Sequence, residues 1–173
     1  MKVVITDVSV FFDLYSLQVL SEFFNLDWEI HTTDFVYNEI VHVEQIDEFA
    51  VFAETQKLKI IKISAEEEVQ IKDMILLRPN KSFPDKTVLW KAKQHNCTLL
   101  TCDGVLRKEA IHQNIEVHGS IWVVNQLVEY NKITIQKGIK LFEKLKRVNT
   151  RLPYNEIDKI INTLKQKTEA NGV

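Results

Sequence analysis

Two short segments decide the fold class of this chain: residues 3–7, Val-Val-Ile-Thr-Asp, and residues 99–103, Leu-Leu-Thr-Cys-Asp. Each has the length and apolar composition of a buried strand. Each also runs directly into an aspartate, Asp7 in the first segment and Asp103 in the second. In an open parallel sheet, ligands gather at the carboxyl ends of the strands near a topological switch point. We therefore expect these two aspartates to share one site.

Similar short runs alternate with amphipathic stretches along the rest of the chain. The predicted strands are 3–6, 28–31, 58–63, 97–101 and 115–118. The predicted helices are 13–25, 33–55, 65–78, 84–95, 104–113, 120–130, 135–149 and 155–168. The clearest loop is 79–84, which has a proline at each end. Such alternation is typical of βαβ units around a mainly parallel sheet, so it predicts the α/β class.

The length and composition favour one globular domain. The chain has 173 residues, of which 45% are hydrophobic and 27% are charged. We predict one domain over 1–173, with a core at 1–130 and a C-terminal helical extension at 131–173. The two cysteines, Cys97 and Cys102, have neither the number nor the spacing of a disulfide framework or a zinc site, so we expect buried or half-buried thiols.

The sequence contains no run that approaches the ~20 apolar residues of a membrane-spanning helix. Its N-terminus enters a predicted strand at once and does not resemble a signal peptide. We therefore predict a cytoplasmic protein without membrane contact.

Charge is distributed unevenly, although the formal net charge is only −2. Residues 1–79 carry a net charge of −9, residues 80–129 one of +1 and residues 130–173 one of +6. The basic C-terminal part is typical of a surface for nucleic acid or another acidic partner. The alternative is that the basic side chains between Lys137 and Arg147 only solvate a helix face.

Two further acids fall on apolar helical stripes. In the predicted helix 33–55, Glu39 lies on a stripe where a carboxylate is costly unless a charge or metal ion compensates it. The apolar members of that stripe are Phe35, Val36, Ile40, Val43 and Ile46. A salt bridge, or a stripe edge open to water, would also explain Glu39.

The second of these acids is Asp85, which precedes Val88, Leu89 and Ala92 at the spacing of a buried helix face. Ser82 and Asp85 also have the spacing of a capping box, so a helix cap alone would explain Asp85. Local structure could equally account for the strand-end aspartates, as an Asx turn or a helix N-cap.

Four carboxylates gathered at one edge of a sheet would suit divalent metal ions. Mg²⁺ prefers oxygen ligands and is usually held by a few carboxylates, water and substrate phosphate. Two such ions ~4 Å apart can activate a water and stabilise the leaving oxygen of a phosphodiester. Without metal, the carboxylates would repel and raise one another's pKa. Metal-activated water needs no histidine nucleophile, and the five histidines show no spacing suited to catalysis.

The ordered set Asp7, Glu39, Asp85 and Asp103 resembles the PIN-domain family. The residues that carry the resemblance are 4–10 (Val-Ile-Thr-Asp-Val-Ser-Val), 33–39 (Thr-Asp-Phe-Val-Tyr-Asn-Glu), 85–89 (Asp-Lys-Thr-Val-Leu) and 99–103. The match runs from residue 1 to about 130, and segments 107–110 and 116–120 are similar to a branch found in uncharacterised prokaryotic proteins. The resemblance implies a three-layer α/β/α fold with a central mainly parallel sheet and extra C-terminal helices.

The resemblance also implies an endoribonuclease that depends on Mg²⁺ or Mn²⁺, with all four acids as catalytic metal ligands. Ser9 would support Asp7 through a hydrogen bond, or would be only a turn hydroxyl. The expected substrate is single-stranded RNA. Because toxins of toxin–antitoxin pairs belong to this family, an antitoxin protein and a homodimer stay open as further partners.

Basic residues must frame an acidic site before it can hold a polyanion. The candidates for RNA binding are Lys86, Arg107 and Lys108. Arg107 lies four residues after Asp103, so a structural ion pair is the alternative to a phosphate contact.

Other functional classes fit less well. Aspartyl phosphatases need a second aspartate two residues after the first, where this chain has Ser9, and a Gly-rich phosphate loop is absent. Many PIN relatives place a further acid or amide just after the fourth aspartate, but residues 104–107 are Gly-Val-Leu-Arg. This departure argues against a second tightly held metal ion and keeps open a catalytically inactive PIN-like module that binds RNA or protein.

Overall fold

The computed structural model describes residues 2–77 and 81–170, so part of the predicted loop 79–84 lies outside the described residues. Its strands are β1 (Lys2–Thr6), β2 (Trp28–Thr33), β3 (Leu58–Ile61), β4 (Thr98–Leu100) and β5 (Val117–His118). Its helices are α1 (Val8–Leu17), α2 (Leu20–Phe24), α3 (Asp34–Tyr37), α4 (Val43–Glu54), α5 (Ala65–Asp73), α6 (Phe83–Gln94), α7 (Gly104–His112), α8 (Ser120–Glu129), α9 (Ile135–Val148) and α10 (Tyr154–Ala170).

The five strands form one parallel sheet in the order β3-β2-β1-β4-β5. The chain runs outward from β1 through β2 to β3, and then returns to the other side of β1 as β4. The strand order therefore reverses between β1 and β4, which makes their carboxyl ends a switch point where ligand sites form. Thr6 pairs with Leu100 at this point, which sets the two strand ends side by side.

Helices cover both faces of the sheet, because successive residues of each central strand point in opposite directions. In β1, Val4 belongs to a core with α1, α2, α4, α8, α9 and α10, whereas Ile5 belongs to a core with α3, α6 and α7. Leu100 and Leu99 of β4 divide between the two cores in the same way. The predicted three-layer α/β/α architecture is confirmed.

The two C-terminal helices pack into the same core as the N-terminal helices. Phe142 and Leu145 of α9 and Ile157 of α10 are fully buried in the cluster that contains Val10 and Phe11 of α1. This packing brings the linker between α9 and α10 close to the beginning of α1.

The prediction of one helix over 33–55 is wrong. This stretch forms two helices, α3 and α4, separated by residues 38–42. Val36 and Ile40 are buried, but Val43 and Ile46 of the expected stripe are 66% and 38% exposed. Helix α4 buries Phe49 instead, so the two segments present different faces to the core and cannot form one straight helix.

The predicted helix 13–25 is also wrong, because α1 already begins at Val8 and ends at Leu17. Asp7 caps its N-terminus, and Gln18 ends it in a left-handed conformation with φ 61°. The predicted helix 65–78 ends at Asp73. The other elements differ from the predicted ranges by a few residues at their ends.

Both cysteines are free and half-buried, as predicted. Among the described helices, none has the length and apolar composition needed to cross a membrane.

Candidate active site

Asp7 stands at the carboxyl end of β1 and is only 3% exposed. Its Oδ1 accepts a hydrogen bond of 2.8 Å from the backbone N–H of Val8, which makes it the N-cap of α1. Its Oδ2 accepts hydrogen bonds from the hydroxyls of Ser9, at 2.6 Å, and Thr101, at 2.9 Å. The hydrogen bond that the resemblance implied for Ser9 is therefore present, and it orients a buried carboxylate at the switch point.

Asp103 follows β4 and caps α7. Its Oδ1 accepts hydrogen bonds from the backbone N–H groups of Val105, at 2.9 Å, and Leu106, at 2.6 Å. Thr101 links the two strand ends, because its hydroxyl donates to Asp7 and accepts from the backbone N–H of Asp103 at 3.0 Å. Asp7 and Asp103 therefore lie at the same edge of the sheet, at the carboxyl ends of β1 and β4. Each of them also caps the helix that follows it.

Asp85 is brought to this edge by α6. The predicted capping box is present, since Ser82 Oγ accepts from the N–H of Asp85 and Asp85 Oδ2 accepts from the N–H of Ser82. Helix α6 is fixed against the end of β2 by a buried hydrogen bond of 2.7 Å between the hydroxyls of Thr33 and Thr87. Capping and proximity to the other acids therefore coexist at Asp85.

Lys81 lies between two of the acids and was not expected from the sequence. Its Nζ is 2.6 Å from Asp103 Oδ1 and 3.3 Å from Asp85 Oδ2, and its side chain is only 11% exposed. Partial burial acts to lower the pKa of Lys81, but the hydrogen bond to Asp103 and the charges of both acids outweigh it and raise the pKa. Lys81 is thus a fixed cation that neutralises one side of the acidic cluster.

Glu39 is placed differently from the prediction. It lies in the connection after α3, and the residue as a whole is exposed instead of lying on a buried helical stripe. Partial burial raises the pKa of its carboxyl group, and the negative charges of Asp7 and Asp85 raise it further. Glu39 therefore shares an electrostatic environment with those two acids, although it comes from a separate segment.

The pKa values of the two strand-end aspartates move in opposite directions. Burial raises the pKa of Asp7, and the charge of Asp85 adds to it, against the hydrogen bonds from Ser9 and Thr101 that lower it. Partial burial also acts to raise the pKa of Asp103, but Lys81 and the helix N–H groups outweigh it and lower the pKa. The ionised form is therefore disfavoured at Asp7 and favoured at Asp103, which is paired with Lys81.

The donor chemistry of this cluster fits a hard divalent cation. All four side chains offer oxygen, and a cationic ammonium group already lies between two of them. Within residues 2–77 and 81–170, no three acidic, histidine or cysteine side chains converge closely enough to form a ready-made metal site. Lys81 engages one oxygen each of Asp85 and Asp103, and Val8, Ser9 and Thr101 engage both oxygens of Asp7.

The basic residues predicted to contact RNA are available on the surface. Arg107 and Lys108 are exposed on α7, and Lys86 is half-buried on α6. Among the described residues, Arg107 forms no salt bridge, so the alternative of an ion pair with Asp103 is not realised. Asp103 pairs with Lys81 instead.

Cavities occur at both edges of the sheet. One of about 600 Å³ lies at the amino end of β1 and β4 and is lined by Lys2, Cys97 and Glu116. Another of about 490 Å³ lies at the carboxyl edge and is lined by Thr101, Cys102 and Arg107. The second lies at the same edge of the sheet as Asp7 and Asp103, although neither of these acids lines it.

The comparison with known families now decides the identity of the fold. The model of the family described as DUF3368: PIN domain matches residues 3–166. This chain belongs to the PIN-domain family. PIN domains are generally nucleases, generally use divalent metal ions and often bind RNA. The family match covers α9 and most of α10 as well as the sheet, whereas the resemblance read from the sequence extended only to about residue 130.

The fold is shared with a solved structure of low sequence identity. A PilT N-terminus domain protein from the hyperthermophilic archaeon Sulfolobus solfataricus P2 is similar with a TM-score of 0.50 and 12% sequence identity, over 73% of this chain and 94% of that chain. A domain of a functionally unknown protein from Methanocaldococcus jannaschii DSM 2661 matches with a TM-score of 0.48 and 20% identity, over 69% of this chain and 91% of that chain. No curated protein sequence is significantly similar to this PIN domain.

Sequence reasoning missed Lys81 and a second buried carboxylate, Asp13. Lys81 lies four residues before Asp85, a spacing that indicates a pair on a helix, but α6 begins only at Phe83. Asp13 lies on the buried face of α1 together with Val10 and other apolar residues. The predicted helix begins at residue 13, which places Asp13 at a helix end. The apolar residues before it show instead that it lies within α1, on the buried face.

Proposed function

We propose that this PIN domain is a metal-dependent endoribonuclease that hydrolyses RNA phosphodiester bonds at Asp7, Glu39, Asp85 and Asp103. One observation carries the proposal. Asp7, Glu39 and Asp85 come from three separate segments and lie near one another at the switch point of the sheet: in addition to burial, the charge of Asp85 raises the pKa of Asp7, and the charges of Asp7 and Asp85 raise the pKa of Glu39. A fold gains no stability from placing like charges together, so this cluster indicates a functional site. Divalent cations relieve such repulsion, and the family supplies the class of reaction.

The four acids would hold Mg²⁺ or Mn²⁺, which when bound supplies a nucleophilic water and charge stabilisation for phosphodiester hydrolysis. The protein's own part is to orient the ligands. Ser9 and Thr101 fix Asp7 Oδ2, and the N–H of Val8 fixes Oδ1, so the carboxylate keeps one orientation. Thr33 and Thr87 fix α6 and thereby Asp85. Ser9 is therefore a positioning residue in this proposal.

Hydrolysis of labelled RNA tests the proposal most directly. The wild-type protein should cut single-stranded RNA in Mn²⁺ or Mg²⁺ and lose that activity in EDTA. Asp7→Asn should abolish cleavage, because it removes one charge from the metal-binding cluster while the side chain keeps its size. Asp27→Asn is the matched control, since Asp27 is an exposed acid on the surface, and it should cut like the wild type. Equal loss of cleavage in both variants, or cleavage that survives Asp7→Asn, would contradict the proposal.

A second candidate function is a catalytically inactive PIN-like module that binds RNA or protein. The observation in its favour is Lys81, which already neutralises Asp85 and Asp103 in the way that a metal ion would. The two functions differ in their response to Mn²⁺. A nuclease should be stabilised against heat by Mn²⁺, because the ion binds only the folded site. A module in which Lys81 permanently fills the site should show no such stabilisation.

Single-stranded RNA as the substrate is also a proposal, and it rests on family membership. Toxin activity, an antitoxin partner, a homodimer, a cytoplasmic location and a single domain over 1–173 stay predictions. Growth arrest on expression in bacteria, relieved by Asp7→Asn, would be the first evidence for a toxin.

A further inference from the structure

A cavity at the carboxyl edge of the sheet has the size and the charge to hold part of the substrate, although none of the four carboxylates lines it. Its volume is about 490 Å³, within the range of about 300–1,000 Å³ that is usual for ligand sites. Three segments line it: the end of β4 with the first turn of α7, the start of α8, and the linker 151–153 between α9 and α10. The cavity therefore opens at the same sheet edge as Asp7 and Asp103.

Two arginines give this cavity its positive charge. Arg107 of α7 and Arg151 of the linker both line it, and both are exposed. Neither forms a salt bridge with any described residue, whereas Lys137 and Lys146 of the basic C-terminal part are paired with acids. Glu156 is the one acid among the lining residues. The cavity thus presents two guanidinium groups that form no salt bridge with the described residues, and the chain neighbours of Asp103 line the same cavity.

The linker that carries Arg151 is held in place from the interior. The backbone N–H of Arg151 donates to Asn149 Oδ1 at 3.2 Å. Asn149 is buried, and its Nδ2 donates in turn to Asp13 Oδ2 at 3.0 Å. Asp13 of α1 is a buried carboxylate with no cationic partner among the described residues, an arrangement that is costly unless several donors satisfy it.

The same carboxylate also holds the residues next to Asp103. Asp13 Oδ2 accepts from Ser120 Oγ at 2.7 Å and from Cys102 Sγ at 3.3 Å. Burial raises the pKa of Cys102 to about 12, and the charge of Asp13 adds to it, so the thiol stays protonated and can donate. Asp13 therefore fixes the linker, the start of α8 and the end of β4 relative to one another. Through Asp13, the linker that carries Arg151 is thus tied to Cys102, which directly precedes Asp103.

Arg151 also lines a second cavity. This cavity has a volume of about 420 Å³ and is lined by Arg151 together with Val8, Ser9 and Phe12 of α1. One of the two cavities is therefore lined by Cys102 and Gly104, the chain neighbours of Asp103, and the other by Val8, the chain neighbour of Asp7. Arg151 is shared by both.

We propose that Arg107 and Arg151 form a phosphate clamp that holds the backbone of single-stranded RNA beside the four carboxylates. This inference rests on the proposed nuclease function and names the part of the chain that binds its substrate. Acidic side chains repel a polyanion, so positive groups must supply the attraction. Arginine suits this role, because its planar guanidinium group donates two parallel hydrogen bonds to a phosphate.

Binding of a fluorescein-labelled oligouridylate in Ca²⁺ tests the clamp without turnover, across a series of salt concentrations. Arg151→Ala and Arg107→Ala should each weaken binding about tenfold, the loss expected for one charge-assisted phosphate contact. Each should also reduce the slope of log affinity against log salt by about 0.7, the value for one phosphate contact on a single strand. Arg151→Lys should keep the slope, because it keeps the charge, but should recover only part of the affinity.

Arg147→Ala is the matched control. Arg147 is an exposed arginine at the end of α9 that lines neither cavity and forms no described salt bridge, so this variant should bind within about twofold of the wild type. If Arg151→Ala binds RNA as Arg147→Ala does, with the same salt slope, the clamp is wrong. Circular dichroism of each variant shows whether the fold is kept, and Arg151→Lys supplies the comparison if Arg151→Ala is unfolded.

Cleavage in Mn²⁺ separates this inference from the proposed function. In Arg151→Ala the clamp predicts a KM raised about tenfold and a kcat within about threefold of the wild type. If the wild type cuts RNA while Arg151→Ala keeps a normal Kd and KM, the clamp fails and the nuclease stands. If RNA binding depends on Arg151 but no RNA is cut, the nuclease fails and the clamp stands as part of a binding module. A wild-type protein that neither binds nor cuts RNA overturns both.

Discussion

Replacing Lys81 by methionine should have opposite effects on the stability of the metal-free protein and on its affinity for Mn²⁺. Methionine keeps an unbranched side chain of similar length and removes the ammonium group, with its charge and its hydrogen bonds to Asp85 and Asp103. In the wild type, the ammonium group contacts Asp103 Oδ1 at 2.6 Å and Asp85 Oδ2 at 3.3 Å. Its loss leaves those acids without a cation while Asp7 and Glu39 stay nearby.

The size of the effect follows from how far these groups are buried. At an effective dielectric constant of about 20, one pair of unit charges about 3 Å apart attracts by about 5–6 kcal/mol before desolvation is subtracted. Removing one partner of a buried pair costs about 3–5 kcal/mol, and removing one from an exposed pair costs about 0.2–1 kcal/mol. The side chains of Lys81, Asp85 and Asp103 are 11%, 18% and 35% exposed, which lies between those limits. We expect a loss of about 2 kcal/mol, or a Tm lower by about 4–8 °C for a domain of this size.

The attraction between Lys81 and the two acids stabilises the metal-free protein, and it should weaken the binding of Mn²⁺ by a similar free energy. A metal ion that uses Asp85 and Asp103 must displace Lys81, so the wild type loses the lysine pairs when it binds the ion. Lys81→Met has no such pairs to lose. A coupling of about 2 kcal/mol corresponds to about 30-fold tighter binding of Mn²⁺ by the variant. Thermal melts in EDTA and titration calorimetry with Mn²⁺ measure the two quantities separately.

Lys165→Met is the control for this experiment, since Lys165 is an exposed lysine of α10 without a described salt bridge. It should leave both the Tm and the Mn²⁺ affinity unchanged. An Lys81→Met protein that melts at the wild-type temperature in EDTA, or that binds Mn²⁺ no tighter than the wild type, would refute the account of Lys81 as a cation in the metal position.

Three further predictions concern the site, the core and pH. Mn²⁺ should raise the Tm of the wild type but not that of an Asp7→Asn, Asp103→Asn double variant, and an unchanged response in this variant would exclude the four-acid site. Gly138→Ala should destabilise the protein by about 1–3 kcal/mol in urea melts, because its Cβ would lie 2.5 Å from a side-chain methyl of α8, whereas Gly104→Ala, with nothing within 4 Å, should not destabilise it in this way. His31 is buried, and burial first and a neighbouring lysine second lower its pKa, so the unfolded chain takes up a proton near pH 6.5 that the folded chain resists. Stability in urea should therefore fall as the pH drops below about 6.5 toward the lowered pKa of the folded state, and His31→Gln should make that fall smaller.

Local sequence was enough to predict the sheet and the position of two acids. Val4 and Ile5 alternate between two apolar cores, and Asp7 and Asp103 follow their strands directly, so strand geometry alone carries them to one edge. The capping box at Ser82 and Asp85 was predicted for the same reason, because its hydrogen bonds join residues three apart.

Glu39 shows where local reasoning fails. Its apolar neighbours have the spacing of one helix, but Val36 packs into the core on one face of the sheet and Phe49 into the core on the other, and the helix is interrupted between them. The periodicity of apolar residues predicts a helix, but it does not show which residues each apolar side chain contacts in the folded protein. The apolar stripe and the family resemblance both predicted that Glu39 belongs with the other acids, whereas its place in the connection after α3 is visible only in the tertiary structure.

The sequence by itself determined the class of fold, the two strand-end aspartates and the helix caps, because each depends on residues that are close in the chain. Only the tertiary structure decided that Lys81 pairs with Asp103 and that Asp13 holds Asn149. These contacts join residues 22 and 136 positions apart. Their formation depends on how the helices pack around the finished sheet, and no local pattern encodes that packing.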